Sequence, residues 1–272
     1  MKKIFVLGIS LMLLVNTYGQ SFFGRTIPTK LEEKFVYGVS WSFFQLGTIT
    51  ITVESILPKP ELKKITVDIR SAPLLPFVNV DEHNVVLMNM KNGLTINYYA
   101  TEELDGEKIE TTCSYNQENG LIIFKERNIE SKALIKSDTL SFDKPYLVGS
   151  SLMHYIRLIA DSGLVTSVPT MVGGNFYNTE LNYGGAVEFI EIGAFDEPIR
   201  SFRFDGSAKW DGEATEGLSG DFGGWISDDD ESVVIKAEME ISLGSIDVEL
   251  EEWYKPEWIP PVAQINILSK NN

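Results

Sequence analysis

Phe35-Val36-Tyr37-Gly38-Val39-Ser40-Trp41-Ser42-Phe43 decides the fold. Its odd positions are Phe, Tyr, Val, Trp and Phe; the even positions between them are Val, Gly, Ser and Ser. Successive side chains of a strand point to opposite faces, so this spacing marks a strand with one aromatic face. The same period continues outward. Gln45-Leu46-Gly47 reads as a turn, after which Ile49, Ile51 and Val53 alternate with threonines. Beyond Pro58 and Pro60, Ile65, Val67 and Ile69 alternate with Lys64, Thr66, Asp68 and Arg70. Three such segments in succession predict an antiparallel meander with one wet face.

A second hairpin is expected near the C-terminus. Val233, Ile235, Ala237, Met239, Ile241 and Leu243 share one parity, and Ile246, Val248 and Leu250 share the other. A two-residue Gly244-Ser245 turn of type II′ would set Leu243 opposite Ile246 and Met239 opposite Leu250. Further strands are expected over 94–100, 109–115, 121–125, 178–183, 186–192, 199–204 and 222–227, punctuated by Asn119-Gly120, Gly173-Gly174 and Gly184-Gly185. One segment breaks the pattern. Leu152, Tyr155, Ile156 and Ile159 recur at helical spacing, with Ser150 or Ser151 as N-cap, Gly163 as stop and Arg157–Asp161 as an i,i+4 pair. The fold class is therefore all-β, mainly antiparallel: a strongly curved sheet or flattened barrel of a dozen or so strands, with one covering α-helix near 150–162.

The first twenty residues supply an address. Lys2 and Lys3 precede an apolar run from Ile4 to Val15, and Thr17-Tyr18-Gly19 offers small residues around a cleavage site. The run is too short to span a bilayer as a mature helix. Residues 1–19 read as a cleaved signal peptide, 20–254 as a single β-rich domain and 255–272 as an extended tail. No cysteine ends the leader, so the expectation is a periplasmic or secreted protein, not a lipoprotein, with no transmembrane segment in the mature chain. Removing Lys2 and Lys3 from 23 basic residues leaves 21 against 39 acidic ones, a formal charge of −18. That balance argues against nucleic acid and anionic lipid as partners. With one cysteine, Cys113, no intrachain disulfide can form, and its setting in 109–115 reads as a strand-borne, half-buried or buried thiol.

Two stretches carry a family resemblance. Phe35–Trp41 followed by Gly47-Thr48 resembles the opening strand pair of the bacterial exported family called domain of unknown function 3108. Met153–Arg157, Trp225–Asp229 and Ile241–Ser245 resemble its later half. The resemblance covers about residues 33 to 252. It implies a secreted, β-rich single domain in an envelope context and brings no catalytic residues. The acidic Asp228–Glu231 turn departs from the mixed-charge turn expected there.

Candidate chemistry is sparse. His83 lies in a polar stretch read as an exposed loop. His154 follows Ser150 and Ser151 on the expected helix, but no Gly-x-Ser-x-Gly exists to present a nucleophile. One cysteine and two distant histidines make no zinc site by spacing. Asp228, Asp229, Asp230 and Glu231 form a dense oxygen cluster, a weak calcium candidate without the alternation of an EF-hand. No carboxylate pair is privileged for glycan hydrolysis, and no phosphate loop follows a strand. No cofactor is expected.

The aromatics remain. Phe35, Tyr37, Trp41 and Phe43 widen one β face, with Trp210, Trp225 and Trp253 as candidates to extend it, and Trp253, Tyr254 and Trp258 as a weaker sugar-stacking platform. The leading expectation is an exported envelope protein binding an apolar or amphipathic, lipid-like ligand inside a wrapped sheet, through Tyr37, Trp41, Phe43, Tyr155 and Arg157. The alternatives are a structural or interaction protein engaging another envelope protein and, third, a glycan hydrolase. A ligand binder predicts a cavity lined by the aromatic face. An interaction protein predicts a filled core with an exposed apolar patch or strand edge.

Overall fold

The computed structural model describes residues 28–73, 79–104, 106–116, 119–141, 146–160, 165–210, 220–241 and 244–263. The first eight strands are β1 (Thr29–Trp41), β2 (Phe44–Ile56), β3 (Lys59–Ser71), β4 (Asp81–Asn89), β5 (Leu94–Leu104), β6 (Glu107–Asn116), β7 (Leu121–Asn128) and β8 (Leu134–Ser141). They pair in sequence order as an antiparallel meander. Then come β9 (Leu147–Val148), a 3₁₀ turn (Gly149–Ser151), α1 (Leu152–Leu158), β10 (Val165–Val172), β11 (Asn175–Asn182) and β12 (Val187–Ile190). The chain finishes with β13 (Ile199–Ala208), β14 (Gly220–Ser227), β15 (Val234–Ile241) and β16 (Gly244–Tyr254).

β1 also pairs with β16, from Lys34↔Tyr254 to Trp41↔Ile246. The sheet therefore grows in two directions from a central β1–β16 seam. One wing runs to β8, and the other runs back through β15, β14, β13, β11 and β10 to β9. Its two ends are consecutive in sequence, as in a barrel slit between two neighbouring strands. The slit is offset: β9 lies over β5, where the Thr95 amide donates to the Tyr146 carbonyl and the Val148 amide to Thr95 Oγ1. Among the described residues β8 is left as an outer edge.

Register explains the core. Reading straight across the first wing, Glu33, Val53, Ile65, Val86, Tyr98, Cys113, Phe124 and Asp138 form one row. Its middle is apolar because period-two alternation brings the same parity to the same face in every strand. Opposite this row pack Tyr146, Leu152, Ile156, Met171, Leu181 and Phe204, all within one continuous core. The Cys113 thiol lies 3.4 Å from the Tyr146 hydroxyl and 3.8 Å from Met171 Sδ. Tyr146 meets Tyr115 and Phe176 edge-on, and Phe124 lies against Gly174 in the β10–β11 turn. α1 is tied in by Tyr183, whose hydroxyl donates to the Ile156 carbonyl.

Several local expectations shift. The first hairpin turns at Ser42-Phe43, not at 45–47: Ser42 takes a positive φ of 56°, and strand pairing resumes at Trp41↔Phe44. Gly47 is instead a strand residue, where an added Cβ would strike the Arg70 carbonyl. In the C-terminal hairpin Met239 faces Ile246 and Ala237 faces Val248, a register four residues from the expected one. A four-residue shift is even, so the faces are unchanged; the connection at 242–243 lies outside the described residues. His83 sits in β4, with Nδ1 2.7 Å from Asp68 Oδ1 across the pair, and is not in a loop. α1 ends at Leu158, short of the expected 162, because Ile159 leaves helical geometry at φ −112°, ψ 6°. The leader and Gly163 lie outside the described residues.

Candidate functional site

The five aromatic and basic candidates separate into three places. Tyr37 and Arg157 are interior. Arg157, on α1, grips Glu33 of β1 through two hydrogen bonds, Nη1 to Oε1 at 2.6 Å and Nη2 to Oε2 at 3.1 Å. Two more of its donors go to the carbonyls of Ser232 and Glu231 at 3.0 Å each, and its guanidinium carbon stands 4.9 Å from the centre of the Phe35 ring. Extending the β1–β16 register by one residue sets Lys255 opposite Glu33, and Lys255 Nζ reaches Glu33 Oε2 at 2.8 Å and Glu231 Oε2 at 2.7 Å. Burial disfavours the Glu33 charge, but Arg157's charge and hydrogen bonds, joined by Lys255, outweigh it and hold its pKa at about 2.

His154 lies beside this pair, 5% exposed, with Nδ1 3.9 Å from Glu33 Oε1. Neither ring nitrogen has a hydrogen-bond partner. Burial and the Arg157 charge push it down to about 3, Glu33 opposing and Lys255 and Lys63 adding to the depression. Arg157 pairs with Glu33; the pairing with Asp161 expected from the sequence lies outside the described residues. Tyr155 packs its ring against Gly93 in the β4–β5 turn. No local pattern could have found Glu33 or Lys255, since both meet α1 only through the sheet.

Trp41 and Phe43 sit at the tip of the β1–β2 hairpin. Phe43 is 83% exposed, outside the interior face assigned to it from parity, because the two-residue turn ends the alternation at Trp41. Phe44, missed by the parity count, completes the group. Phe43 and Phe44 are 4.2 Å apart and Trp41 and Phe44 6.5 Å, ring centre to ring centre. Trp41 leans on Gly244 of β16 and is half-buried. Between Lys34 and Glu54 the chain has no charged side chain, in a protein of 23% charged residues. The tip is an apolar patch on an acidic protein.

The acidic turn is knit into the fold. Asp229 Oδ1 accepts from the Ser227 hydroxyl and from the amides of Glu231 and Ser232, and Oδ2 accepts from Trp258 Nε1. Asp228 pairs with Arg200 at 2.8 Å. Among the described residues no three His, Cys, Asp or Glu side chains group to hold an ion.

A known family covers this same frame, its match spanning residues 36–251 and so running from β1 into β16. The chain belongs to the DUF3108 family, proteins of unknown function. No curated protein matches it. The DUF3108 fold is similar to that of a beta-barrel-like protein of domain of unknown function DUF1849 from Brucella abortus. The two superpose with a TM-score of 0.56 at 10% identity, over 84% of this chain and 99% of that one. That likeness concerns architecture alone.

Two further features of this DUF3108 chain lie where Phe195 meets the C-terminal strand. Trp253 and Trp258 pack on Phe195 at 4.7 and 6.3 Å, so two of the three candidate sugar-stacking rings are engaged with the chain's own aromatics. Beside them opens a groove of about 480 Å³ lined by Glu191, Asp196, Glu197 and Glu249 around Phe195. No described helix is long and apolar enough to cross a membrane.

Proposed function

We propose that this is an exported, non-enzymatic interaction protein of the cell envelope, which docks an apolar surface of another envelope protein through the Trp41–Phe44 tip. The carrying observation is the exposed aromatic cluster of Phe43 and Phe44 beside Trp41, at the end of a sheet whose interior is occupied by one continuous core. Burial of large apolar side chains drives association, and aromatic residues are enriched at the centres of interfaces. An envelope position agrees with the leader-like first nineteen residues.

A photo-crosslinker placed at Phe43 in the native envelope tests this. The expected result is one defined cross-linked protein that disappears on Phe44→Ser and is not captured by a probe at exposed Val165. Identical capture from both positions, or none from Phe43, overturns it. Native mass spectrometry before and after solvent extraction provides the counter-test. A stoichiometric, extractable mass returns the function to a lipid-like ligand inside the sheet.

A further inference from the structure

We propose that the free edge of β8 pairs with β8 of a second copy of the chain, antiparallel, with Ser137 on the twofold axis. The site is separate from the aromatic tip and does not depend on it.

β8 pairs with β7 on one side and, among the described residues, with nothing on the other. Eight residues make an edge about 27 Å long. Such an edge offers a row of unpaired amides and carbonyls and is a template for another strand unless guarded. Leu134 and Ile135, at its start, are each 54% exposed.

The guard on this edge is selective. Asp138 stands in the core-facing row next to Phe124, and Lys136 Nζ lies 5.2 Å from the centre of the Phe124 ring. The two charges share that face, 3.7 Å apart, one on each side of Ser137. Inward-pointing charges discourage pairing with an unmatched strand, whose apolar residue would be set against them. A second copy of β8 is matched in one register only. Centring the pair on Lys136 sets two ammonium groups opposite each other, and centring on Asp138 sets two carboxylates opposite. Centring on Ser137 sets Lys136 of each copy opposite Asp138 of the other, inside the stretch Lys136–Ser141 where the strand is regular; the bulge at Ile135 ends that stretch. Directly opposed unlike charges stabilise a strand pair and like charges destabilise it, so the sequence of the edge specifies this register. The result is one sheet continuous across two copies, joined isologously.

Sedimentation velocity over a concentration series tests the proposal on the purified protein with Lys136→Asp and Asp138→Lys. Unmodified protein should show a concentration-dependent dimer. Each single variant should dimerise about tenfold more weakly, because both cross-strand charge pairs become like-charged. An equimolar mixture of the two variants should restore association, since every pair across the seam is again of opposite sign. Amide exchange in Leu134–Ser141 should slow as the dimer forms. An unmodified chain that stays monomeric across the series overturns the proposal. So do single variants that associate as well as the original, or a mixture no better than its components.

Discussion

Glu33 and Arg157 lie 124 residues apart in the chain and meet in a two-pronged ion pair at 2.6 and 3.1 Å, with side chains only 6% and 9% exposed. The pair fastens α1 to β1. Removing Glu33 strands the Arg157 charge in the interior, and removing Arg157 leaves the buried Glu33 carboxylate with Lys255 alone. Arg157→Leu or Glu33→Leu alone is expected to cost about 3–5 kcal/mol, whereas Glu33→Leu with Arg157→Met together should recover most of that loss. Urea unfolding of the two singles and the double provides the cycle.

Acid should weaken the protein in two steps. His154 has a folded pKa of about 3 against an ordinary 6.5, so the unfolded chain binds the extra proton and stability falls as pH drops from 6.5 towards 3. Glu33, at about 2 against 4.5, adds a second decline as pH drops from 4.5 towards 2. His154→Leu removes the first step and leaves the second. It should also be neutral or stabilising at pH 7, since both ring nitrogens are buried without partners. Unfolding free energies at pH 7, 5.5 and 4 show whether the first slope has gone.

The hairpin tip should be dispensable for folding. Phe43→Ser is expected to change stability by less than about 0.5 kcal/mol, since the ring is 83% exposed. Trp41→Ala, half-buried against β16, should cost clearly more. Melting temperatures of the two variants make the comparison, and equal losses would refute it.

Two strand glycines should respond differently to the same change. A Cβ at Gly47 would strike the Arg70 main chain, which cannot give way without opening the β2–β3 ladder. The nearest atoms to a Cβ at Gly38 all belong to the Glu251 side chain, which can swing aside. Gly47→Ala should cost about 1–3 kcal/mol, and Gly38→Ala should stay within about 0.5 kcal/mol of neutral. Denaturant midpoints at constant slope will separate them.

Cys113 should be inert in the folded protein. Burial, only partly offset by the Tyr146 hydroxyl, pushes its thiol up to about 11, and it is fully enclosed. Thiol reagents should label it at the rate of unfolding; fast labelling of the native protein would contradict the packing.

The sheet was legible because alternation is a local property: the parity of Phe35, Tyr37, Ile51, Val53 and Ile65 alone assigns their face. Turn positions were less so. Ser42-Phe43 carries no glycine or proline, so the sequence points to Gln45-Leu46-Gly47 for the first reversal, where the glycine instead answers a close backbone approach. The register of the last hairpin had several even solutions with identical faces. The partners of Arg157 were invisible, because Glu33 and Lys255 reach it through strand register across the β1–β16 seam.

That seam dictates an order of events. The first strand of the sheet finds its second neighbour only when residues 246–254 are available, and the Glu33 cluster closes only with Lys255. Contacts so remote in sequence form late and slowly. A chain emerging from its N-terminus first can make the β1–β8 meander but cannot complete its central joint until residues 246–255 have arrived. On the exported reading proposed above, that delay would keep the polypeptide pliable for the whole passage and reserve its final fastening for the far side.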